Sequence, residues 1–519
     1  MCFKQKNIGI LLIFMSLFLV SGAKEVFAKK IKKQNVLLIF TDDHRYSGVH
    51  ALGHQQVKTP NIDALATNGI AFTNAYLMGS FSGATCVPSR AMLHTGRQLF
   101  HLKGEGHFIP EDQTTIGERF NEAGYNTQMV GKWHQDNNSL VRSFDSGSTV
   151  MGRGLYLTDH FRMPLWDWDK EAKFSNDDAY LLVYDENGNT VRRALTKEDK
   201  RGPTGTEEDG PHTSEIFADK AINYIESYKE KDPFFMYLAF HAPHDPRQAP
   251  QKYRDMYPAD SIQLPPSYMP QHPFDNGHMV LRDEALAPWP RTPEVARQHL
   301  ADYYAIITHL DAQIGRVITA LKESGQYENT LIVFAGDSGL AVGCHGLIGK
   351  QSVYDEDGVH VPFIISGANG AEKGKRIDAL TYTYDIFPTI CDLTNLSIPE
   401  SVDGKSLVPV IKGEKKQVRD YTYHAYRQHQ RAYRKGDYKL IEFVRAKDFS
   451  KQKGEFVSGS RVTLLFNIKN DPWETTNLSF LPEYEEVLKV MRIEMKEKAV
   501  ELGDYKEHID YAYDFWDFY

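Results

Sequence analysis

The sequence has few cysteines, no excess of basic residues and little continuous hydrophobic sequence beyond its first residues. Four cysteines among 519 residues exclude a fold built on disulfides. The chain has 60 lysines and arginines against 69 aspartates and glutamates. The resulting net charge of −9 argues against a broad nucleic-acid-binding surface, so we expect no nucleic-acid partner. A mean hydropathy of −0.47 excludes a protein with many membrane spans.

The first 28 residues have the features of a secretory signal peptide. Lys4 and Lys6 precede an apolar run over residues 8–20, and Ala28 provides a small residue at a cleavage site. As a helix this run would span about 20 Å, less than the roughly 30 Å of a bilayer core. We therefore expect an exported protein, periplasmic or secreted, with no membrane insertion after signal removal. A short membrane anchor is the alternative.

Four apolar segments each end in charged or imidazole side chains. They cover residues 35–40, 127–130, 234–240 and 331–335, and helical patterns lie between them. Continuous apolar runs indicate strands buried on both faces of a parallel sheet, and their alternation with helices predicts an α/β fold. Because such sheets bind ligands at the carboxyl ends of their strands, we expect a functional site at that edge.

The character of the sequence changes after about residue 415. Residues 418–426, 432–443 and 461–466 predict strands with turns between them, and residues 482–501 predict an amphipathic helix. The expected domains are a signal peptide at 1–28, a catalytic domain at 29–414 and a C-terminal subdomain of antiparallel sheet plus helix at 415–519.

Two long segments between the predicted elements have no clear pattern. Residues 135–210 are polar with scattered glycines, and residues 245–297 contain ten of the chain's 24 prolines. Long loops in a compact domain are commonly functional, so we expect these segments to wall the site. Simple surface decoration is the alternative.

Three carboxylates are predicted to meet at the edge of the sheet. Asp42 and Asp43 directly follow the first apolar segment, and Asp337 follows the last. Carboxylate oxygens without sulfur or histidine partners suit a hard divalent cation, Ca²⁺ or Mg²⁺. An aspartate pair is also common in turns and helix caps, which is the competing interpretation.

One cysteine stands in a setting that favours reactivity. Three cysteines remain after signal removal, so at least one is unpaired or modified. Cys86 precedes Pro88, Ser89 and Arg90, which predict a helix N-terminus just after the cysteine. An exposed thiol there would be reactive, whereas a buried structural cysteine is the alternative.

The run Cys-Val-Pro-Ser-Arg at residues 86–90, followed by Thr-Gly-Arg at 95–97, resembles the sulfatase signature. Further matches to the family fall at residues 35–43, 60–66, 131–134, 242–244, 336–337, 349–350 and 465–472. The chain is thus identified as similar to type I formylglycine-dependent sulfatases of the bacterial glycan type, in the alkaline phosphatase superfamily. The resemblance implies an alkaline-phosphatase-like fold, a mixed sheet sandwiched by helices.

The resemblance also implies two cofactors. Cys86 would be oxidised by a formylglycine-generating maturation enzyme to Cα-formylglycine, whose hydrated aldehyde attacks the sulfur of a sulfate ester. One Ca²⁺ per chain would be held by Asp42, Asp43, Asp337 and the modified residue 86. Ser338 occupies the position of a further ligand, where the family usually has asparagine and sometimes histidine.

The remaining catalytic roles follow from the same resemblance. Arg90, Lys132 and Lys350 would neutralise charge on the diol and the sulfuryl oxygens. His134 would handle the protons of the diol. His244 would protonate the leaving alcohol, with Lys350 as a second candidate for this role.

Substrate contacts are expected from polar residues at loop tips, each of which has a structural or solvated role as its alternative. These candidates are Arg153, His160, Arg247, His345 and Arg427. Export and long loops favour a sulfated carbohydrate as the substrate. Two other functions stay open: a phosphoester or phosphonate monoester hydrolase of the same superfamily, and a non-catalytic glycan-binding relic with an unmodified Cys86.

Overall fold

A nine-stranded sheet lies at the centre of the fold. The computed structural model describes residues 33–151, 159–196, 199, 208–367, 372–445, 460–504, 515–517 and 519. The expected signal peptide at 1–28 and the candidate Arg153 lie outside these residues. The other predicted site residues are all described, so their positions can be compared with the expectations.

The strands and helices are as follows. The strands in chain order are β1 (Asn35–Thr41), β2 (Gly69–Phe72), β3 (Ala75–Tyr76), β4 (Gly79–Ser80), β5 (Asn126–Lys132), β6 (Ser146–Met151), β7 (Trp166–Asp167), β8 (Tyr180–Tyr184), β9 (Thr190–Ala194), β10 (Phe234–Ala239), β11 (Thr330–Gly336), β12 (Phe363–Ser366), β13 (Lys375–Ile377), β14 (Thr381–Tyr382), β15 (Tyr421–Tyr426), β16 (Gln430–Lys435), β17 (Tyr438–Arg445) and β18 (Ser460–Asn467). The helices are α1 (Pro60–Thr67), α2 (Cys86–Thr95), α3 (Ile116–Glu122), α4 (Asn137–Ser143), α5 (Thr213–Ser227), α6 (Gln251–Arg254), α7 (Pro293–Glu323), α8 (Ile386–Leu393), α9 (Val408–Ile411) and α10 (Glu485–Leu502).

The large sheet is mixed. Its order is β13-β2-β12-β11-β1-β10-β5-β6-β7. Strand β1 pairs in parallel with β10 and β11, whereas β12 and β7 pair antiparallel with their neighbours β11 and β6. The predicted mixed sheet is confirmed.

Helices cover both faces of this sheet, which explains the uninterrupted apolar strands. All seven residues of β1 are buried. Leu37 and Ile39 pack in a core with α5 and α7, while Val36 and Leu38 pack in a second core on the opposite face with α3 and α8. Alternate side chains of one strand thus enter two different cores, so both sets must be apolar.

The register brings the polar strand ends into one row. Thr41 at the end of β1 pairs with Gly336 of β11, and Phe40 pairs with Ala239 of β10. Ala239 pairs in turn with Gly131 of β5. The residues that follow the ends of these four strands therefore emerge side by side, as the sequence predicted.

A second, five-stranded sheet follows in the order β18-β17-β16-β15-β4. Its four C-terminal strands are antiparallel, and α10 packs against β16 and β17. The fifth strand, β4, comes from the segment just before Cys86 and pairs in parallel with β15. This sheet is therefore tied directly to the segment that leads into α2. The division at residue 414 stays a prediction.

Residues 135–210 contain more regular structure than the sequence indicated. Helix α4 and strands β6 to β9 lie within this segment. The hairpin of β8 and β9 has mainly exposed or half-buried residues in β9, so it lacks the apolar alternation on which strand prediction depends.

Within the described residues, no helix is long and apolar enough to cross a membrane.

Candidate active site

Three buried aspartates form the centre of the site. Asp42 and Asp43 lie directly after β1, and Asp337 lies directly after β11. All three have at most 1% of their surface exposed. The Asp43 amide donates to Asp337 Oδ1 over 2.9 Å, so the two strand ends are joined by a hydrogen bond. The sequence prediction that these carboxylates meet is confirmed.

Three cations compensate these charges. Lys132 Nζ contacts Asp42 Oδ2. Lys350 Nζ lies 2.5 and 2.7 Å from the two oxygens of Asp43. Arg90 Nη2 lies 3.0 Å from Asp337 Oδ2 and 3.4 Å from Asp42 Oδ2. Because buried carboxylates are costly without positive partners, these three cations stabilise the cluster.

The two carboxylates that share Arg90 have opposite pKa shifts. Burial tends to raise the pKa of Asp42, but Lys132, His244 and Arg90 together hold it well below its usual value. Burial and the nearby negative charge of Asp42 raise the pKa of Asp337 to about 7, against the opposing effect of Arg90. Like charges in one buried site cannot both ionise freely, which explains the divergence.

The sequence predicted a helix start just after Cys86, and α2 begins at Cys86 itself. The helix is buried along its whole length and ends at Gly96, whose φ of 64° suits glycine. The Cys86 side chain is buried, and its Sγ lies 3.8 Å from Lys132 Nζ. Burial raises the pKa of the thiol to about 11, although Lys132 and Lys350 act in the opposite direction. The unmodified thiol is therefore neutral near pH 7.

Lys132 reaches the site because β5 approaches β10 very closely. Gly131 has a φ of 98°, and a Cβ atom there would lie 2.0 Å from the carbonyl oxygen of Ala239. Only glycine fits this contact. The position of the Lys132 ammonium group therefore depends on its neighbour in the sequence.

The donor set fits a hard divalent cation. One oxygen each of Asp42 and Asp337 and the Cys86 sulfur lie within 4.8 Å of one another, as do ligand atoms of Asp42, Asp43 and His244. Asp42 Oδ1 is buried and has no hydrogen-bond partner among the described residues. An orphaned carboxylate oxygen in an oxygen-rich cluster suits Ca²⁺ or Mg²⁺.

Ser338 is brought into the cluster as a hydrogen-bond donor. Its Oγ donates to Asp43 Oδ1 over 3.1 Å and to Asp337 Oδ1 over 3.4 Å. His244 also approaches the aspartates, with Nε2 3.7 Å from Asp43 Oδ2. Both side chains thus lie beside the carboxylates, and the ligand role of Ser338 stays a prediction.

The predicted acid–base residues follow two different strands, β5 and β10. His134 follows Lys132 with a φ of 84°, and its Nδ1 is buried with no hydrogen-bond partner among the residues described. Burial and the positive charge of Lys132 lower the pKa of His134 well below its usual value. His244 comes from the loop after β10, and its Nδ1 donates to the Asp245 carbonyl oxygen over 2.8 Å.

The substrate candidates are distributed differently from the catalytic residues. His160 is fully buried, and its Nε2 donates to the His244 carbonyl oxygen over 3.0 Å. His345 is also buried, with Nδ1 2.9 Å from Asp357 Oδ2. These locations favour supporting roles for both histidines. Substrate contact by either one stays a prediction.

Two of the arginine candidates are half-buried. Arg247 lies on the loop after β10, with Nη1 2.9 Å from His299 Nδ1. Arg427 follows β15. Its Nη1 lies 3.9 Å from the position that the Cβ atom would have if Gly83 were alanine. Since Gly83 is three residues before Cys86, Arg427 is close to the segment that enters α2.

Several residues of the site were not identified from the sequence. Tyr237 of β10 accepts a hydrogen bond from Arg90 over 3.0 Å. His241 stacks between His160 and His244, with ring centroids 5.0 and 4.7 Å apart. Its Nδ1 lies 3.4 Å from Asp42 Oδ2. His241 shares the loop after β10 with the predicted His244, but no sequence pattern indicated Tyr237.

Comparison with known proteins agrees with this geometry. The sulfatase family model matches residues 34–396, and the model of the N-sulphoglucosamine sulphohydrolase C-terminal region matches residues 343–501. An arylsulfatase of Clostridium perfringens is 30% identical and covers 89% of this chain and 93% of its own length. An N-acetylglucosamine-6-O-sulfatase of Bacteroides thetaiotaomicron is 25% identical, with coverage of 92% and 88%.

Solved structures share the fold. A protein in complex with its substrate D-glucosamine-2-N,6-O-disulfate has a TM-score of 0.68 at 22% identity, covering 92% of this chain and 100% of that chain. A phosphonate monoester hydrolase of Agrobacterium radiobacter has a TM-score of 0.65 at 20% identity, with coverage of 92% and 96%. The fold is thus alkaline-phosphatase-like, as expected. The chain belongs to the sulfatase family and is a sulfuric ester hydrolase.

Proposed function

We propose that this protein is an exported sulfatase that uses formylglycine at residue 86 to hydrolyse a sulfate ester on a carbohydrate. The main support is the position of Cys86. Its sulfur lies at the start of a buried helix, among the oxygens of Asp42 and Asp337 and 3.8 Å from Lys132 Nζ. A nucleophile at this position would have negative ligands for a metal and a positive side chain beside it.

The two cofactors would supply the chemistry that the side chains lack. Asp42, Asp43, Asp337 and residue 86, with Ser338 beside them, would hold Ca²⁺, which would supply positive charge for a bound sulfate group. The aldehyde of formylglycine, as its hydrate, supplies the attacking oxygen that an unmodified thiol would not.

The cations of the site would stabilise the negative charge of the sulfuryl group. Arg90 Nη1 is held by the Lys132 carbonyl oxygen and the Tyr237 hydroxyl, so the orientation of its guanidinium is determined by two further elements. Lys132 and Lys350 are buried, and each lies beside a carboxylate. Fixed charges in a site that excludes water stabilise a developing charge more than mobile charges in water do.

Proton transfer would involve two histidines, His134 and His244. His134 would remove a proton from the nucleophile. His244 would donate a proton from Nε2 to the leaving oxygen, because Nδ1 is engaged with Asp245 and Nε2 is directed toward the cluster. Lys350 is a second donor on the same side, since it contacts the same Asp43.

The carbohydrate substrate is supported by the relative named as an N-acetylglucosamine-6-O-sulfatase. Arg247, half-buried on the loop after β10, would be one of the contacts to the sugar. A screen of the purified enzyme against sulfated mono- and disaccharides tests this part of the proposal. Activity confined to small aryl sulfates would contradict it.

Two measurements test the proposed chemistry. The mass of the peptide that contains residue 86 should fall by the difference between SH₂ and one oxygen, as expected for an aldehyde. Turnover of nitrophenyl sulfate should greatly exceed turnover of nitrophenyl phosphate and of a phosphonate monoester. The reverse ratio would indicate a phosphoester or phosphonate hydrolase, and an unmodified Cys86 without turnover would indicate a glycan-binding relic.

Export is tested by locating the mature protein. The N-terminus of the protein recovered from the periplasm or the medium should begin at Lys29, immediately after the expected signal peptide. Recovery of the uncleaved chain in the membrane fraction would favour the short anchor instead.

A further inference from the structure

A chain of polar contacts connects the two candidate proton donors through a side chain outside the catalytic set. It begins at His244, whose Nδ1 lies 2.8 Å from the carbonyl oxygen of Asp245 and 3.3 Å from its Oδ1. Two oxygen acceptors of Asp245 thus hold an N–H at Nδ1. The other ring nitrogen, Nε2, is left to face Asp43.

Arg282 is the centre of this chain. Its Nη1 and Nη2 lie 2.8 and 2.9 Å from the two carboxylate oxygens of Asp245, a bidentate pair. Its Nε lies 2.8 Å from Asp283 Oδ1. One guanidinium group therefore holds two aspartates at once, one from each side.

The chain continues from Asp283 to the second candidate donor. Asp283 Oδ2 accepts a hydrogen bond from Gln351 Nε2 over 2.6 Å. Gln351 Oε1 in turn accepts from the backbone amide of Lys350 over 3.0 Å. Since His244 and Lys350 both contact Asp43, the contacts form a closed ring around one side of the site.

Arg282 pairs with two buried carboxylates, so its loss should disturb the site more than its own exposure suggests. The Arg282 side chain is 52% exposed, and exposed ion pairs commonly contribute little to stability. However, Asp245 and Asp283 are only 6% and 5% exposed. Without Arg282, these two buried carboxylates would repel each other and would lose their shared cation. They would then move apart, and the groups attached to them would move as well.

We propose that Arg282 is a positioning residue that aims His244 and Lys350 at the leaving oxygen of the substrate. This inference rests on the proposed function of His244. When the oxygen carried by residue 86 bonds to sulfur, the bond from sulfur to the leaving oxygen would break and its electron pair would stay on that oxygen. The leaving oxygen would take the Nε2 proton of a doubly protonated His244 and depart as a neutral alcohol, which leaves His244 neutral with its proton on Nδ1. In this proposal Arg282 acts through its contacts with Asp245 and Asp283.

The reaction itself supplies a readout that separates positioning from general structural support. A strongly acidic phenol can leave its sulfate ester as the phenolate, without receiving a proton. A weakly acidic phenol or a sugar hydroxyl needs a proton in order to leave. A variant with a misplaced proton donor should therefore lose activity mainly on the second group. A variant that merely destabilises the fold should lose activity equally on both.

The experiment measures kcat/KM of the mature enzyme on aryl sulfates that range from nitrophenyl to alkylphenyl esters. For Arg282→Met we expect a loss of about 10- to 100-fold on the alkylphenyl esters and less than about 3-fold on the nitrophenyl ester. Arg282→Lys, which keeps a charge but loses the bidentate pair, should fall between Arg282→Met and the unchanged enzyme. A crystal structure of Arg282→Met should show the His244 ring displaced.

Two references complete the experiment. Arg316→Met is the matched control, because Arg316 has a side-chain exposure of 48% and pairs with the exposed Asp219 on the helical layer. It should leave the whole series unchanged. His244→Ala should show the same dependence on the leaving group in a stronger form.

The outcomes distinguish this inference from the proposed function. Suppose that His244→Ala loses more activity on the alkylphenyl esters than on the nitrophenyl ester, but Arg282→Met and Arg282→Lys lose the same factor on all esters or lose nothing. Arg282 then has no positioning role. If His244→Ala itself lowers the activity on every ester by the same factor, His244 is not the proton donor, and the role proposed for His244, on which this inference rests, is wrong. If Arg282→Met does not fold, the series measured on Arg282→Lys decides between these results.

Discussion

Lys350 Nζ lies 2.5 Å from Oδ1 and 2.7 Å from Oδ2 of Asp43, although 307 positions separate the two residues in the chain. Both side chains are almost completely buried. The ammonium group therefore compensates a carboxylate at the candidate metal site and lies beside the same aspartate that His244 approaches. We therefore expect mutation of Lys350 to reduce activity strongly.

Lys350→Met should reduce kcat/KM on nitrophenyl sulfate by about 10²- to 10³-fold, because a fixed positive charge beside the sulfuryl oxygens is lost. Steady-state kinetics checks this expectation. Lys469→Met, at an exposed lysine that pairs with Asp437, is the control and should be neutral. Near-normal activity of Lys350→Met would exclude Lys350 from the catalytic set.

Cys86→Ala should fold normally and lose essentially all turnover, because the residue that carries the nucleophile is removed. Removal of one small buried sulfur leaves the contacts of α2 otherwise intact. Cys86→Ser should also be inactive unless the maturation enzyme of the host accepts serine. Substantial turnover by the alanine variant would contradict a nucleophile at residue 86.

Calcium should both activate and stabilise the protein. Chelation should abolish turnover, and Ca²⁺ should restore it. At a concentration of 100 times its dissociation constant, Ca²⁺ should add about 2.7 kcal/mol to the free energy of unfolding, seen as a higher melting temperature. Asp337→Asn should lose this shift, since a carboxylate of the cluster is neutralised. Recovery of activity by zinc alone would argue against the assignment.

Arg427→Ala or Arg247→Ala should greatly reduce kcat/KM on the native glycan and leave a small aryl sulfate nearly unaffected. Loss of one buried polar partner costs about 1–3 kcal/mol, and only the glycan makes contacts with the sugar pocket. Parallel kinetics on the two substrates checks this. His160→Ala should instead lower both activities, because His160 holds the His244 carbonyl. If both arginine variants match the unchanged enzyme on the glycan, the pocket lies elsewhere.

Asp504→Ala should destabilise the protein by about 3–5 kcal/mol, because the fully buried Arg431 guanidinium loses its carboxylate partner. The same variant also removes an acceptor of the Tyr423 hydroxyl. The free energy of unfolding in urea provides the measurement. Asp219→Ala, which breaks the exposed pair with Arg316, should cost less than about 1 kcal/mol. Equal effects of the two variants would show that the Arg431 pair contributes little.

Short-range patterns in the sequence predicted the main strands and the residues at their ends. The apolar run at 35–40 predicted β1 to within one residue, because a strand with helices on both faces cannot carry a polar side chain between its ends. Likewise, Asp42, Asp43 and Cys86 could be identified because the signals for them, a strand end and a helix start, lie in adjacent residues. The family signature around Cys86 extended this local information to the chemistry.

Only the tertiary structure decided which charges meet. The contact of Lys132 with Asp42 depends on the register of three strands. The closed ring of contacts that includes Arg282 joins segments that are far apart in the chain. His160 also shows that the local sequence does not determine where a polar side chain lies. A histidine in a polar, irregular segment was expected at a loop tip, but it lies fully buried behind His244. Burial and pairing of polar side chains depend on long-range packing, which no local sequence pattern contains.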